Sequence, residues 1–533
     1  MKFKFTILIY LLLPLQLLAQ GVGVTRSAVE AIPGDNVLRF YRLAIPVTRS
    51  AFEEDLDSDY GTVLAFWREC EEYVNNIFVP VGFCFDVIED ENLVMSDRNL
   101  IDDNFYNATS FGTELVDEVI GSAAYDIAMW VTHRPDDSEN TGLSVQYGAY
   151  SHSTKGSGYA MTDCWVVAHE IGHLLGADHT PAGEGSLMDQ IGGYLSYPSI
   201  KMIREGCLAR NSAYYSDELR TSLVGSNVGG NYVYGVRVNG NAPAFVATQM
   251  KDTYRIPKGA CLAVELFATD ADGDELSYMA IGEDIEALAS LPPQESGVVD
   301  YRPRYSADIF YPEYFYSVQG TDIPMLYPGR YGIGFIVYDC PRDCSFEAMK
   351  RQPFYSNYAV WNADVEVVSG TDFSASLSPA KDLYTAGERI TVEWGVNNGY
   401  FTADNSVRIT MSANYGESFD YVLAESVPAR NGSCSVELPD VNVGNVDVDF
   451  VTATRSMRGG IIKVEEIGGV AYTLTALSPE LGGSFCITGA TNVDKLKTEM
   501  GKVKTIYDLQ GRKLKCENGN LKGICIIDGK KAL

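Results

Sequence analysis

Histidine is scarce in this chain, with five in 533 residues. A site built on imidazole therefore has few places to be. Basic residues are also outnumbered: 41 Lys and Arg against 71 Asp and Glu leave a net charge of −30. That balance argues against nucleic acid and anionic membrane surfaces as partners, because both repel an acidic chain. Beyond the N-terminus no apolar run is long enough to cross a bilayer. The eleven cysteines are an odd number, so at least one stays outside any intrachain disulfide. No cysteine precedes Cys70, so none follows the leading apolar run to carry a lipid anchor. Cys340 and Cys344 lack a second pair at metal-ligand spacing and read as a disulfide or two thiols.

The N-terminus has the layout of a secretory signal. Lys2 and Lys4 precede an apolar run from Thr6 to Leu18, with a cleavage site after Ala19. Residues 1–19 are expected to be removed on export, and 20–35 form a short polar segment too small for a folded propeptide. Export permits disulfides. The pairings considered are Cys70 with Cys84, Cys164 with Cys207, and Cys340 with Cys344.

Three of the five histidines fall in one stretch, His169-Glu170-Ile171-Gly172-His173-Leu174-Leu175-Gly176-Ala177-Asp178-His179. The run before it predicts a buried helix with Thr162 or Asp163 as N-cap. His169 and His173, at i and i+4, leave one face a turn apart and can reach one metal ion. Glu170 points about 100° round the helix, so it can face a water without ligating the metal. Gly176 can take φ > 0, end the helix and return His179 as a third ligand. Three neutral histidines leave one coordination position open, which is the catalytic zinc pattern.

This spacing, with Met188 a short way downstream, resembles the metzincin metalloproteases. Thr180 after the third histidine is similar to a bacterial reprolysin-like (adamalysin-like) group; animal reprolysins more often carry Asp there. Gln190 stands where astacins and serralysins place a tyrosine ligand. The resemblance implies an α+β catalytic domain at 36–218. It implies Zn²⁺ on His169, His173 and His179, Glu170 as general base, and Met188 in a methionine turn beneath the metal. It also implies peptide substrates that pair with an edge strand, expected at Gly142–Tyr150. Gly34-Asp35 is faintly similar to the astacin aspartate switch, and is otherwise a turn.

Within the catalytic domain, strands are expected at Val37–Val47, Phe83–Ile88 and Tyr125–Thr132, with helices at Gly61–Phe78 and Tyr197–Tyr215. His133 and His152 read as loop histidines. Residues 219–240 read as a linker rich in Gly, Asn and Val. Two all-β immunoglobulin/cadherin-like sandwiches are expected at 241–370 and 371–478. In the first, Asp270, Asp272 and Asp274 can gather oxygen ligands round Ca²⁺ or form a solvated acidic turn. After a linker at 479–500, residues 501–533 resemble the C-terminal sorting domain of type IX secretion cargo. That resemblance implies secretion machinery as a partner and a secreted or cell-surface location in a Gram-negative bacterium, reached through the periplasm. The whole is a multidomain chain with two readings: a secreted zinc endopeptidase, or a surface adhesin that binds through its sandwiches.

Overall fold

The computed structural model describes residues 29–95, 101, 104, 106–133, 141–180, 186–189, 193–214, 224–228, 231–282, 298–300, 328–416, 418–449, 454–475 and 483–489, and short strands at 506–507, 513–514, 525–527 and 530–532. The expected signal at 1–19 lies outside them.

Strand β1 (Val37–Ala44) leads through β2 (Val47–Thr48) to helix α1 (Tyr60–Phe78). Asp59 caps α1 by accepting from Thr62 N–H. The apolar positions Val63, Trp67, Cys70, Val74 and Phe78 recur every three or four residues, and all are fully buried. Trp67 also donates its indole N–H to Ile45 O at 3.0 Å. Its truncation to Ala would cost about 3–5 kcal/mol. Strand β3 (Phe83–Val87) returns parallel to β1. Buried Asn75 ties α1 to it, donating to Phe85 O and accepting from Phe85 N–H.

Next come β4 (Val94–Met95), α2 (Asn107–Ile120), β5 (Ile127–Ala128), β6 (Trp130–Thr132), β7 (Gly142–Ser144), β8 (Gly158–Met161), α3 (Cys164–Leu175) and α4 (Tyr197–Tyr214). The expected central strand at 125–132 is buried throughout, but its regular pairing is split. β5 pairs with β1, and β6 lies between β2 and β8. The break falls opposite Ile45-Pro46, where proline has no N–H to donate; Met129 and Val131 still donate to Ala44 O and Pro46 O. The expected strand at 142–150 is only three residues long. Tyr147 takes φ +62° and donates its N–H to His173 O, which turns the chain out of the sheet. β8 inserts between β6 and β7 and makes β7 the edge, in the order β4-β2-β6-β8-β7.

Residues 219–240, expected as a linker, contain a hairpin. Strands β9 (Val224–Val228) and β10 (Asn231–Arg237) add to the sheet of β1 and β3 in the order β3-β1-β10-β9. The Gly, Asn and Val composition suits a turn with β-branched strand positions as well as a linker.

The β-rich half departs from the two expected sandwiches in its boundaries. One sheet orders 253–257, 358–368, 329–340 and 275–282. A six-stranded sheet takes strands from both expected units, because Cys261–Glu265 pairs with Ala471–Leu474. A continuous core runs from Met250 to Ile487. Strand Cys486–Thr488, inside the expected 479–500 linker, pairs with Leu383–Thr385. The terminal strands 506–507, 513–514, 525–527 and 530–532 form an antiparallel sheet.

The apolar core around α1 and α3 continues into the β-rich half through Met279, Ile336, Tyr338 and Tyr358. Arg204 of α4, nearly fully buried, donates to Val81 O and Ser356 O at 3.1 and 2.8 Å. Its guanidinium stacks on Tyr355 and Tyr358. The N-terminal segment is held there too: Val29 exchanges two hydrogen bonds with the Asn362 side chain, and Tyr197 donates to Glu30 O. Asp35 pairs with Arg39 at the start of β1. It therefore does not reach the histidines, and the aspartate-switch likeness fails. Among the described residues no helix is long and apolar enough to cross a membrane.

Candidate metal centre

Helix α3 begins at Asp163, whose carboxylate accepts from Trp165 N–H at 2.7 Å. It ends at Gly176, which takes φ +112° and donates its N–H to Gly172 O and His173 O. A side chain could not replace this glycine, since a Cβ there would lie 2.1 Å from the Tyr147 ring. The Arg210 guanidinium lies over that ring, 3.3 Å from its centre. The turn at Gly176 sends the chain back so that His179 meets the two helical histidines.

The three rings converge, with centroid separations of 4.9, 5.2 and 4.6 Å. One nitrogen of each lies within 4.8 Å of the others, and His169 Nε2 stands 3.2 Å from His179 Nε2. Two nitrogens each ~2.0–2.1 Å from one tetrahedral zinc ion stand roughly 3.3 Å apart, so this separation fits. The tautomers fit as well. His169 Nδ1 donates to Leu187 O at 2.7 Å, and His173 Nδ1 to Ala177 O at 2.9 Å. Carbonyls only accept, so each Nδ1 carries the proton and each Nε2 offers a lone pair. Burial holds the His169 imidazolium down at about 4 and lowers His173 as well. Both rings are therefore neutral at pH 7, as ligands must be.

Met188 is fully buried, and its Sδ would stand 2.6 Å from a Cβ on Gly172, the residue directly before His173. Thr180 N–H donates to Met188 O at 3.2 Å, which ties the returning chain to that turn. Trp165 leans on His169, ring to ring, at 5.6 Å.

Glu170 is 3% exposed and faces β7. Ser144 Oγ lies 2.8 Å from its Oε2 and 2.9 Å from its backbone O. Gly142, on the same face of β7, has no side chain; a Cβ there would meet Oε1 at 2.5 Å. Burial raises the carboxyl to about 8, and the Ser144 hydrogen bond offsets part of that. A cation on the histidines would pull it down again. Sequence reasoning did not single out Ser144, Gly142 or Tyr147. The available signal was the Gly-x-Ser alternation, which puts residues 142 and 144 on one side of a strand.

His133 and His152 lie elsewhere, at 2.7 Å from Asp55 and 3.2 Å from Ser122 Oγ respectively. The loop after the third histidine, at 181–185, is outside the described residues.

The carboxylates of Asp270, Asp272 and Asp274 gather within 4.8 Å. Asp270 Oδ1 accepts from the N–H groups of Asp272, Gly273 and Asp274, while its buried Oδ2 has no hydrogen-bond partner. Beneath them Asp339 is 2% exposed, and burial, with Asp270 and Asp274 nearby, raises it to about 7.

None of the cysteine pairings drawn from the sequence is closed: the nine described cysteines are free thiols, Cys340 and Cys344 included. Cys70 Sγ lies 2.7 Å from Cys164 Sγ. Cys84 sits in a separate cluster with Leu38, Phe40 and Val79.

Residues 71–180, from within α1 to just past His179, match the family described as metallo-peptidase family M12B, reprolysin-like. The match supports a reprolysin-like metallopeptidase domain, and members of that family use zinc. No curated protein matches the chain. Among solved structures, the four N-terminal Ig domains of Dscam1 isoform 8.4 match at 9% identity and TM-score 0.14, over 44% of this chain and 46% of that one. The chain thus spans under half of the Dscam1 structure. Clostridium thermocellum CbhA fibronectin(III)-like modules match at 9% identity and TM-score 0.14, over 44% of this chain and 92% of theirs. Human protocadherin-24 EC1-2 matches at 13% identity and TM-score 0.17, over 47% and 98%. TM-scores this low fix neither fold nor function.

Proposed function

We propose that the protein is a secreted zinc endopeptidase. The observation that carries this is the convergence of His169, His173 and His179, with one ring nitrogen of each within 4.8 Å of the others, beside a buried Glu170. The reprolysin-like match over the same helix supports it. His169, His173 and His179 would hold the ion, with Met188 as its apolar floor. Zinc bound there supplies a Lewis acid.

The remaining chemistry belongs to the chain. A peptide main chain pairs with the open edge of β7, which lays the scissile bond across the site. Glu170 takes a proton from the attacking water and delivers it to the leaving amine nitrogen. Burial raises the proton affinity of this carboxyl and a bound cation opposes that rise, and between the two the group can accept a proton and give it up. Ser144 keeps the carboxylate on the substrate side of the helix. The leader at 1–19 and the tail at 501–533 support export through the periplasm, with the tail as the secretion signal.

The test compares full-length wild type with Glu170→Ala. Zinc is measured by elemental analysis, and cleavage is followed on an unbiased peptide library. The expected result is zinc near one per chain in both and cleavage only by wild type. Cleavage by both would overturn Glu170 as the base, and absence of zinc from both would overturn the metal assignment.

A further inference from the structure

We propose that Cys70 and Cys164 are a disulfide-forming pair that fastens the start of the metal helix to α1. Their sulfurs are 2.7 Å apart although 94 positions separate them in the chain. An S–S bond needs ~2.05 Å, so closure asks for a shift of well under ~1 Å. Cys70 lies on the buried face of α1 at 0% exposure, and Cys164 is the first residue of α3, directly after its N-cap. The two helices pack along each other. Among the described residues neither sulfur has a rival: Cys84 belongs to another cluster, and Cys207 stands beside Tyr150 and Arg39.

The place of the bond gives it a task. Cys164 opens the helix that carries His169 and His173, and the next residue, Trp165, leans on the His169 ring. A covalent tie at Cys164 fixes the first turn, and with it the aromatic backing of a ligand. α1 is a fitting anchor because its inner face is locked to β3 through Asn75.

The chemistry balances with a low-molecular-weight disulfide such as oxidised glutathione as oxidant. Cys164, the more exposed thiol, attacks it as thiolate, forms a mixed disulfide and releases one glutathione thiol. Cys70 then loses its proton and attacks Cys164 Sγ, and the second glutathione leaves as a thiol. Two cysteine thiols are oxidised and one glutathione disulfide is reduced.

The test uses the full chain, refolded with oxidised glutathione, then denatured, alkylated and digested without reductant. Mass spectrometry should find one cross-linked peptide pair holding Cys70 and Cys164, two hydrogens lighter than the separate thiol peptides. Recovery of both cysteines as alkylated thiols would overturn the proposal, as would a bond from either to another cysteine. A second measurement tests the fastening. Dithiothreitol should lower the melting temperature of the wild type by several degrees, roughly what a native disulfide is worth, and leave Cys70→Ala/Cys164→Ala unmoved. An equal drop in both, or in neither, would refute the staple. Neither readout depends on catalysis, so this inference and the protease reading fail separately.

Discussion

Ser144 and Glu170 are 26 positions apart and meet only because β7 runs alongside α3. Among the described residues, the serine hydroxyl is the one side-chain group that hydrogen-bonds a carboxyl which burial raises to about 8. Ser144→Ala should therefore lower kcat by about tenfold, the loss of one hydrogen bond to a charged group at ~1.4 kcal/mol. Zinc content should stay unchanged, and Ser144→Thr should restore most of the rate. Steady-state kinetics with parallel metal analysis would check this. His179→Ala should behave in the opposite way, with metal lost to a chelator first and activity following. His169, His173 and Glu170 were legible in the sequence because a helix maps spacing directly onto direction, and His179 because Gly176 marks where the chain turns back. Ser144 was not, because a contact between strand and helix is set by packing that no local period records.

At the scale of elements, the hinge of the site is the helix end at Gly176. Gly176→Ala would place a Cβ into the Tyr147 ring and force a left-handed φ on alanine. A loss of about 2–4 kcal/mol is expected in chemical denaturation, together with weaker metal retention. The acidic turn offers a test of pH. The Asp339 carboxyl is raised in the folded protein from the usual 3.8 to about 7. Between those values the folded state binds more protons than the unfolded one, so this group's contribution to stability falls as pH rises from about 4 to 7. Asp339→Asn keeps the acceptor for Asn357 N–H and should flatten that fall, which melting curves across the interval would reveal. Calcium added at pH 7 should raise the melting temperature of wild type and not of Asp270→Asn/Asp272→Asn, if the three carboxylates hold an ion.

The longer elements α1 and α4 and the strand β3 were visible in the sequence from their periodicity. Strand β8 was not. Its four residues are buried on both faces or nearly so, which leaves no alternation to read. α2 was missed as well, although its buried positions are Ala108, Gly112, Thr113 and Val116. Two of those four are glycine and threonine, which do not mark an apolar stripe.

Across the whole molecule, the catalytic and β-rich halves are joined through Arg204 and the two tyrosines that sandwich its guanidinium. Arg204→Ala would strip the buried carbonyls of Val81 and Ser356 of their donor. A loss of about 2–4 kcal/mol is expected, with faster cleavage between the halves under limited proteolysis. The fusion of the halves was the least legible feature. Composition and turn spacing mark where strands occur, but not which strands pair. The pairing of 261–265 with 471–474 spans some two hundred residues of intervening chain.

The hairpin β9–β10 bears on how such an enzyme can be recombined. β10 covers the edge of β1 over Val37–Phe40. A protease cassette cut out after residue 218, where the sequence suggests a seam, would carry a bare strand edge into any new host protein. A graft that extends through Arg237 would keep that edge covered. It would still leave Tyr338 and Tyr358 behind, and with them part of the apolar core. In this protein the portable unit is larger than the catalytic one.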